Sequence, residues 1–303
     1  MTASCNCSVF GLVIHSDLPL PELLPCELNA GADVVITAGK LPEADGAPAG
    51  LSVVDDALIL VIPGVAKYRI ADGRSITVEA EAGAPDRNVR LYLLGSAFGA
   101  LLHQRGLLPL HANAVDIGDT AIAFMGESGA GKSTLAAVFR DRGYRVIADD
   151  VCVVGFDGDG KAYAKPGLPR LRLWAEALEV MGHGTAGFEH SYAGDEEFEK
   201  FDVPLDPSSA VRSDIPLSGL YLLARADHFS IDRLSGVEAA DAVFANTYRG
   251  AFISAANGQE NHWSSAVRIV RNLPVFRASR QWDLARLDEQ CRMLLDHANA
   301  LVG

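Results

Sequence analysis

The sequence predicts a mixed α/β chain: a small β-rich N-terminal domain over residues 1–83, a linker and connecting helix over 84–105, and a larger core over 106–303. Three observations predict it. Up to about residue 83 the chain runs in short apolar or alternating stretches cut by Gly, Asp and Pro, the pattern of strands and turns. Residues 120–150 read as strand, glycine-rich turn, helix and strand in succession. The composition, 49% hydrophobic and 21% charged over 303 residues, is that of a globular chain with a real core.

Taken in order, CSVFGLVI, ADVVITA, ALILVI, KYRIA and SITVEA supply the strands of the first part. SDLPLPELLP is too rich in proline for a helix interior or a central strand. EAGAPDRN, from Glu81, reads as a linker. In VRLYLLGSAFGALLHQRG, Leu91, Leu94, Phe98, Leu101 and Leu102 recur at helical spacing, with Gly95 and Gly99 inside the pattern. LPLHANAVDI and TAIAFM then read as paired strands with a Gly-Asp turn. STLAAVFRDRG is a helix stopped by Gly143, and YRVIADD is a buried strand ending in two carboxylates. LRLWAEALEVMG is expected to be helical. HGTAGFEHSYAGDEEFEKFD is polar and Gly-containing, hence a loop, and its stretch at 182–200 is a candidate lid, with GDEEFE as a solvated face. LSGLYLLAR and PVFRAS read as strands. GVEAADAVFANTYR, NHWSSAVRIVRN and WDLARLDEQCRMLLDHANALV read as helices.

A net charge of −13 argues against duplex nucleic acid, whose binding rests on phosphate neutralisation, and against an anionic membrane surface. The five cysteines, Cys5, Cys7, Cys26, Cys152 and Cys291, have neither disulfide-framework nor zinc spacing and read as free thiols. With no signal-peptide pattern and no apolar run of bilayer length, the expected location is cytoplasmic, where ATP and Mg²⁺ are available.

The chemistry begins at GESGAGKST, Gly126–Thr134, which fits the template G-x-x-x-x-G-K-[ST] without a mismatch. Successive N–H groups of Gly126, Glu127, Ser128, Gly129, Ala130 and Gly131 can converge on phosphate oxygens, and the following helix points its N-terminus at the anion. Lys132 places a cation on the β- and γ-phosphates, and Ser133 offers a hydroxyl to Mg²⁺. Asp149 and Asp150 follow after one helix and one strand. Two neighbouring carboxylates divide naturally into a metal ligand and a proton acceptor. Asp150 with Ser133 is read as the metal pair and Asp149 as the base, although alternation along a strand leaves open which of them faces the site. His111, on the strand beside the phosphate strand, is a further site candidate. Arg170, Arg172, Lys200, Arg212 and Arg249 are candidate cations for the developing negative charge.

HANAVDIGDTAIAFMGESGAGKSTLAAVFRDRGYRVIADDV, residues 111–151, resembles the catalytic core of the HPr kinase/phosphorylase family. That resemblance implies an HPr-kinase/PEP-carboxykinase-like P-loop core, the family's nucleotide cradle on Gly126–Thr134, its catalytic aspartate on Asp149 with Asp150 as neighbour, and its histidine on His111. Thr134 stands where the family carries an acid. FGLVIHSDLPLPEL, VRLYLLGSAFGALLHQRGLLPLHANAV and PGLPRLRLW look like the subgroup encoded beside lasso-peptide and other ribosomal-peptide clusters. This implies phosphorylation of the C-terminal serine of a precursor peptide, and the wider family also implies a homo-oligomer.

The leading expectation is an ATP- and Mg²⁺-dependent kinase acting on a serine hydroxyl of a peptide or small protein. The alternatives are a small-molecule kinase on the same core and a nucleotide-gated peptide-binding module without transfer. A GTPase is disfavoured by the lack of an [NT]-K-x-D element.

Overall fold

A computed structural model describes residues 4–28, 31–194, 199–256 and 259–301. Its backbone falls into two compact units. The first comprises Met1–Leu108, Ser191–Phe198 and Arg249–Trp263, and the second Pro109–His190, Glu199–Tyr248 and Ser264–Gly303. The four residues at the heart of GDEEFE, 195–198, lie outside the described residues, so the expected solvated face and lid are not described there.

In the first unit, β1 (Cys5–Val9), β2 (Leu12–Ser16), β3 (Leu24–Pro25), β4 (Val34–Ala38), β5 (Gly50–Val54), β6 (Ala57–Ile62), β7 (Ala66–Ala71) and β8 (Ser75–Ala80) make one eight-stranded sheet, ordered β3-β1-β2-β4-β8-β7-β6-β5. The run CSVFGLVI becomes a hairpin because Phe10 and Gly11 both take positive φ, 54° and 72°, the geometry of a tight two-residue turn. Alternation places Ile14, Ile36, Tyr68 and Ile76 in the interior. Two helices, α1 (Asp86–Tyr92) and α2 (Phe98–Gln104), are joined through a π-helical turn at Leu93–Ala97 that contains Gly95. They cover the sheet: the Tyr68 hydroxyl donates to the Val89 carbonyl at 2.8 Å, and the Phe10 and Phe98 rings lie 6.3 Å apart. The described cysteines are free thiols. Burial, with Cys5 and Cys26 nearby, pushes the Cys7 thiol up to about 12.

The second unit carries β9 (Leu108–Leu110), which begins at the unit boundary, then β10 (Ala112–Asp116), β11 (Ala121–Met125), α3 (Lys132–Asp141), β12 (Arg145–Ala148), β13 (Cys152–Phe156), β14 (Ala162–Ala164), β15 (Arg170–Trp174), α4 (Ala175–Val180), β16 (Glu189–His190), β17 (Lys200–Pro204), β18 (Ile215–Arg225), β19 (Ser230–Leu234), α5 (Gly236–Ala245), α6 (Gln259–Asn272), whose first turn belongs to the first unit, β20 (Val275–Arg280) and α7 (Leu287–Ala300). Its main sheet runs β12-β10-β11-β18-β14-β13-β9, with β20 paired to β18 and β19 to β20. A smaller sheet runs β15-β17-β16.

Two features of this sheet fix the position of everything described below. β11, β18 and β20 are parallel neighbours, so their C-terminal ends share one edge. Near-continuous apolar runs such as AIAFM are buried on both faces, as central parallel strands require. Phe124 packs with Phe139 of α3 and with Tyr221, and Tyr221 stacks on Phe276, which ties the helix that follows β11 to all three strands.

One expectation is corrected here. LRLWAEALEVMG is not one helix: Arg170–Trp174 is a strand and only Ala175–Val180 is helical. Leu171 and Leu173 are fully buried on one face while Arg170 and Arg172 point to the other, and pairing with β17 stabilises that period-2 arrangement. No helix among the described residues is long and apolar enough to cross a membrane.

Candidate active site

β11 ends at Met125, and the chain turns at once into a loop that only glycine accommodates easily. Gly126, Gly129 and Gly131 have φ of 146°, 84° and 79°. The loop is tied at both ends. The Gly126 N–H donates to Asn246 Oδ1 at 2.8 Å, and Arg280 Nη2 donates to the Ala130 carbonyl at 2.6 Å. Arg280, 2% exposed, is held by the Gln290 side chain at 2.8 Å, and its burial lowers its pKa to about 10. The helix α3 begins at Lys132, so the N–H groups of its first turn face the loop without helical acceptors. A Cβ on Gly131 would lie 2.5 Å from Arg280 Nη2 as well as in left-handed geometry. Gly131→Ala is therefore expected to cost about 1–2 kcal/mol from the backbone alone, lowering Tm by several degrees and weakening ATP binding. Thermal melts with and without ATP check this.

Lys132 curls back onto its own loop, donating to the Gly126 carbonyl at 2.7 Å and the Glu127 carbonyl at 3.0 Å. Burial lowers its pKa to about 8, against the pull of Asp150. A buried ammonium hydrogen-bonded to neutral carbonyls is poised for an anion, whose charge would restore what burial removes.

The two aspartates occupy different environments. Asp149 is buried, its carboxylate accepting from Asn113 Nδ2, the Arg172 N–H at 2.7 Å and the Ser133 hydroxyl. Burial and the neighbouring charge of Asp150 push its carboxyl up to about 6. Asp150 takes a left-handed φ of 65°, which breaks the strand alternation and turns its side chain elsewhere. His111 Nδ1–H donates to its carbonyl at 3.1 Å and so braces that conformation. Its carboxylate meets Arg172 Nη1 at 3.3 Å and Lys200 Nζ at 3.8 Å. Burial alone would raise its pKa, but Lys200 and Arg172 outweigh it and hold the group low, at about 2. Arg170 and Arg172 share Asp202 on β17, at 2.8 and 3.2 Å.

These groups line one cavity of about 270 Å³ at the C-terminal edge of the parallel strands, where ligands of open α/β sheets bind. His111, Ser128–Thr134, Asp150, Arg172 and Lys200 all face it. Gly126, Glu127, Asp149 and Arg170 stand behind its wall or beside it. Arg212 is exposed and away from it, and Arg249 belongs to the first unit. Sequence reasoning missed Asn113, which holds Asp149, Asn246, which anchors the loop, and Arg280. The only signal was Asn113 itself, a polar residue within a strand that is buried throughout.

Among the described residues no group of three or more His, Cys, Asp or Glu is arranged to hold a metal. A Mg²⁺ that arrives with a nucleotide needs only one or two protein ligands beside phosphate and water. The donors present fit that demand: a serine hydroxyl on the cavity wall, hydrogen-bonded to a buried carboxylate.

No family model matches this chain, and no curated protein does. Among solved structures, the Hpr(Ser) kinase/phosphatase from Coxiella burnetii is similar over 64% of this chain and 99% of that one, with 14% identity and a TM-score of 0.35.

Proposed function

We propose that this chain is an ATP- and Mg²⁺-dependent phosphotransferase that moves the γ-phosphoryl group onto a serine hydroxyl of a peptide. The acceptor expected from the sequence resemblance is the C-terminal serine of a lasso-type precursor. The observation that carries the reading is one cavity lined by a glycine-rich loop, a buried lysine and Asp150, with Asp149 buried behind its wall and bonded to Ser133, the two aspartates being of opposite electrostatic character.

In this reading the loop N–H groups and the N-terminus of α3 hold the phosphates, and Lys132 leaves the Gly126 and Glu127 carbonyls for their oxygens. Mg²⁺, when bound, neutralises charge on the β- and γ-phosphates, and Ser133 backed by Asp149 would hold it. The incoming hydroxyl meets Asp150, the carboxylate that faces the cavity. This exchanges the roles first read for the two aspartates. Asp149 has the higher proton affinity, but a base must be within reach before its pKa matters. Asp150, already neutralised by Lys200 and Arg172, is also the poorer metal ligand. In a loose transition state the hydroxyl keeps its proton until late, so a weak but well-placed carboxylate suffices. The serine oxygen bonds to the γ-phosphorus, the bond from that phosphorus to the bridging oxygen breaks, its electron pair leaves with ADP, and the proton passes to Asp150. Arg172 and Lys200 steady the charge on the flank where transfer occurs.

The pH dependence follows from Asp149. Its folded pKa lies above the ordinary 3.8, so the folded state keeps a proton that the unfolded state has lost, and stability falls as pH rises from about 4 to about 6. Metal affinity has the opposite sense, because Asp149 attends Mg²⁺ only when ionised. Mg²⁺-dependent ATP affinity is expected to fall as pH drops through about 6, and Asp149→Asn to abolish that dependence. Calorimetric titrations between these pH values check it.

The acceptor is tested by intact-mass spectrometry of a peptide ending in Ser and its Ala counterpart, incubated with protein, ATP and Mg²⁺. One added phosphate on the Ser peptide alone is expected. Transfer to a metabolite and to neither peptide would overturn the peptide acceptor while leaving the phosphotransferase.

A further inference from the structure

The lining of the cavity extends beyond its phosphate-handling groups on two flanks. In the sheet, β12 and β20 lie on opposite sides of β11, in the order β12-β10-β11-β18-β20. The loop after β11 is therefore central. The residues after β12 form one flank with β15, β17 and the start of α4: Asp150, Arg172 and Lys200, with Trp174, Glu176 and Ala177 beyond them. The segment after β20 forms the other flank: Trp282, Asp283 and Leu284, with Leu287 opening α7. Arg280, two residues before Trp282, is bonded to the Ala130 carbonyl, so this second flank is fastened directly to the phosphate loop.

We infer that the segment between β20 and α7 is a nucleoside subsite in which Trp282 stacks a purine base. This rests on the nucleotide-binding reading above and adds where the base lies. The Trp282 indole is 42% exposed and faces the cavity, while the Arg225 guanidinium lies 5.5 Å over its ring. A large exposed aromatic, flanked by Leu284 and Leu287, offers the flat apolar face that a base stacks on, and nothing in phosphate binding or transfer calls for it. The aromatic of the other flank, Trp174, sits instead among the groups assigned to transfer, since the Lys200 that lies 5.9 Å from its ring also pairs with Asp150. The triphosphate then runs from the β20 flank across the loop, with its terminal phosphate at the β12 flank, where the acceptor enters. The segment is also pinned locally, since Asp283 Oδ1 accepts from the Ala285 N–H at 2.9 Å and Gln290 Nε2 donates to the Gln281 carbonyl at 2.9 Å. Trp282 is thus presented from a turn held by hydrogen bonds on both sides of it.

The test compares two probes on the full chain by calorimetry: Mg·ATP, which has a base, and Mg·tripolyphosphate, which does not. For Trp282→Ala, ATP affinity is expected to fall about tenfold, with tripolyphosphate affinity unchanged and Trp282→Phe restoring most of the loss. Unchanged ATP affinity in Trp282→Ala would overturn the subsite, as would equal weakening of both probes, which marks a merely structural tryptophan. Failure of tripolyphosphate to bind the wild-type chain would instead overturn the phosphate cradle beneath it, a result readily told apart from the others.

Discussion

Asp150→Asn is expected to lower kcat by about 10²–10⁴ while ATP still binds. The substitution is nearly isosteric, so the cavity keeps its shape, but it removes the proton acceptor and leaves Arg172 and Lys200 facing a neutral amide. Excess positive charge there attracts the nucleotide, so ATP affinity should hold or rise while transfer collapses. That split, kcat lost and binding kept, distinguishes a reacting group from a structural one. Asp149→Asn should differ in kind. It loses the Mg²⁺ dependence of binding first, because its partners are Ser133, Asn113 and the Arg172 N–H rather than the cavity. Single-turnover rates and calorimetry on both variants decide the allocation. Loss of turnover in Asp149→Asn with normal Mg·ATP binding, and near-normal turnover in Asp150→Asn, would restore the original order of roles.

Lys132→Ala is expected to reduce kcat/KM by about 10²–10³ or more, the scale of removing one preorganised charge donor from a transition state. Lys132 is nearly buried, with its ammonium on two loop carbonyls and no carboxylate within ion-pair distance among the described contacts. Removing it relieves a buried charge at neutral pH, because a pKa lowered to about 8 means the protonated lysine costs stability below that pH. Loss of activity is therefore not a sign of unfolding in this variant. Far-UV circular dichroism and steady-state kinetics together check both halves.

The strand–loop–helix geometry at 121–141 was legible from residues alone because it is local. A strand of buried residues, glycines at 126, 129 and 131, a Lys-Ser pair and a helix follow one another without interruption, and those glycines take the positive φ that they adopt most easily. The pairing of the segment after His111 with the strand before the loop was legible for a related reason, whereas the return of β12 beside β10, which brings His111 to the Asp150 carbonyl, was not. What was not legible depends on distant pairing. In LRLWAEALEVMG, Leu171, Trp174 and Leu178 fit a helix and Leu171 with Leu173 fits a strand. Pairing with residues 200–204, a long way down the chain, decides between them. That misreading hid how Arg172 reaches both Asp149, through its N–H, and Asp150, through its guanidinium. Arg280 was invisible for the same reason: its carbonyl partner lies 150 residues earlier, and no short pattern records such a bond. The division of labour proposed for the aspartates turns on the left-handed φ of Asp150, which strand alternation could not foresee.

The most direct test of the phosphotransferase reading is a single-turnover reaction with ATP labelled in its γ-phosphate, Mg²⁺ and a serine-ending peptide, run with wild type and Asp150→Asn. The account predicts label on the peptide serine with wild type, and label retained in bound ATP with the variant. Label released only as inorganic phosphate, or left in ATP by both proteins, would contradict it.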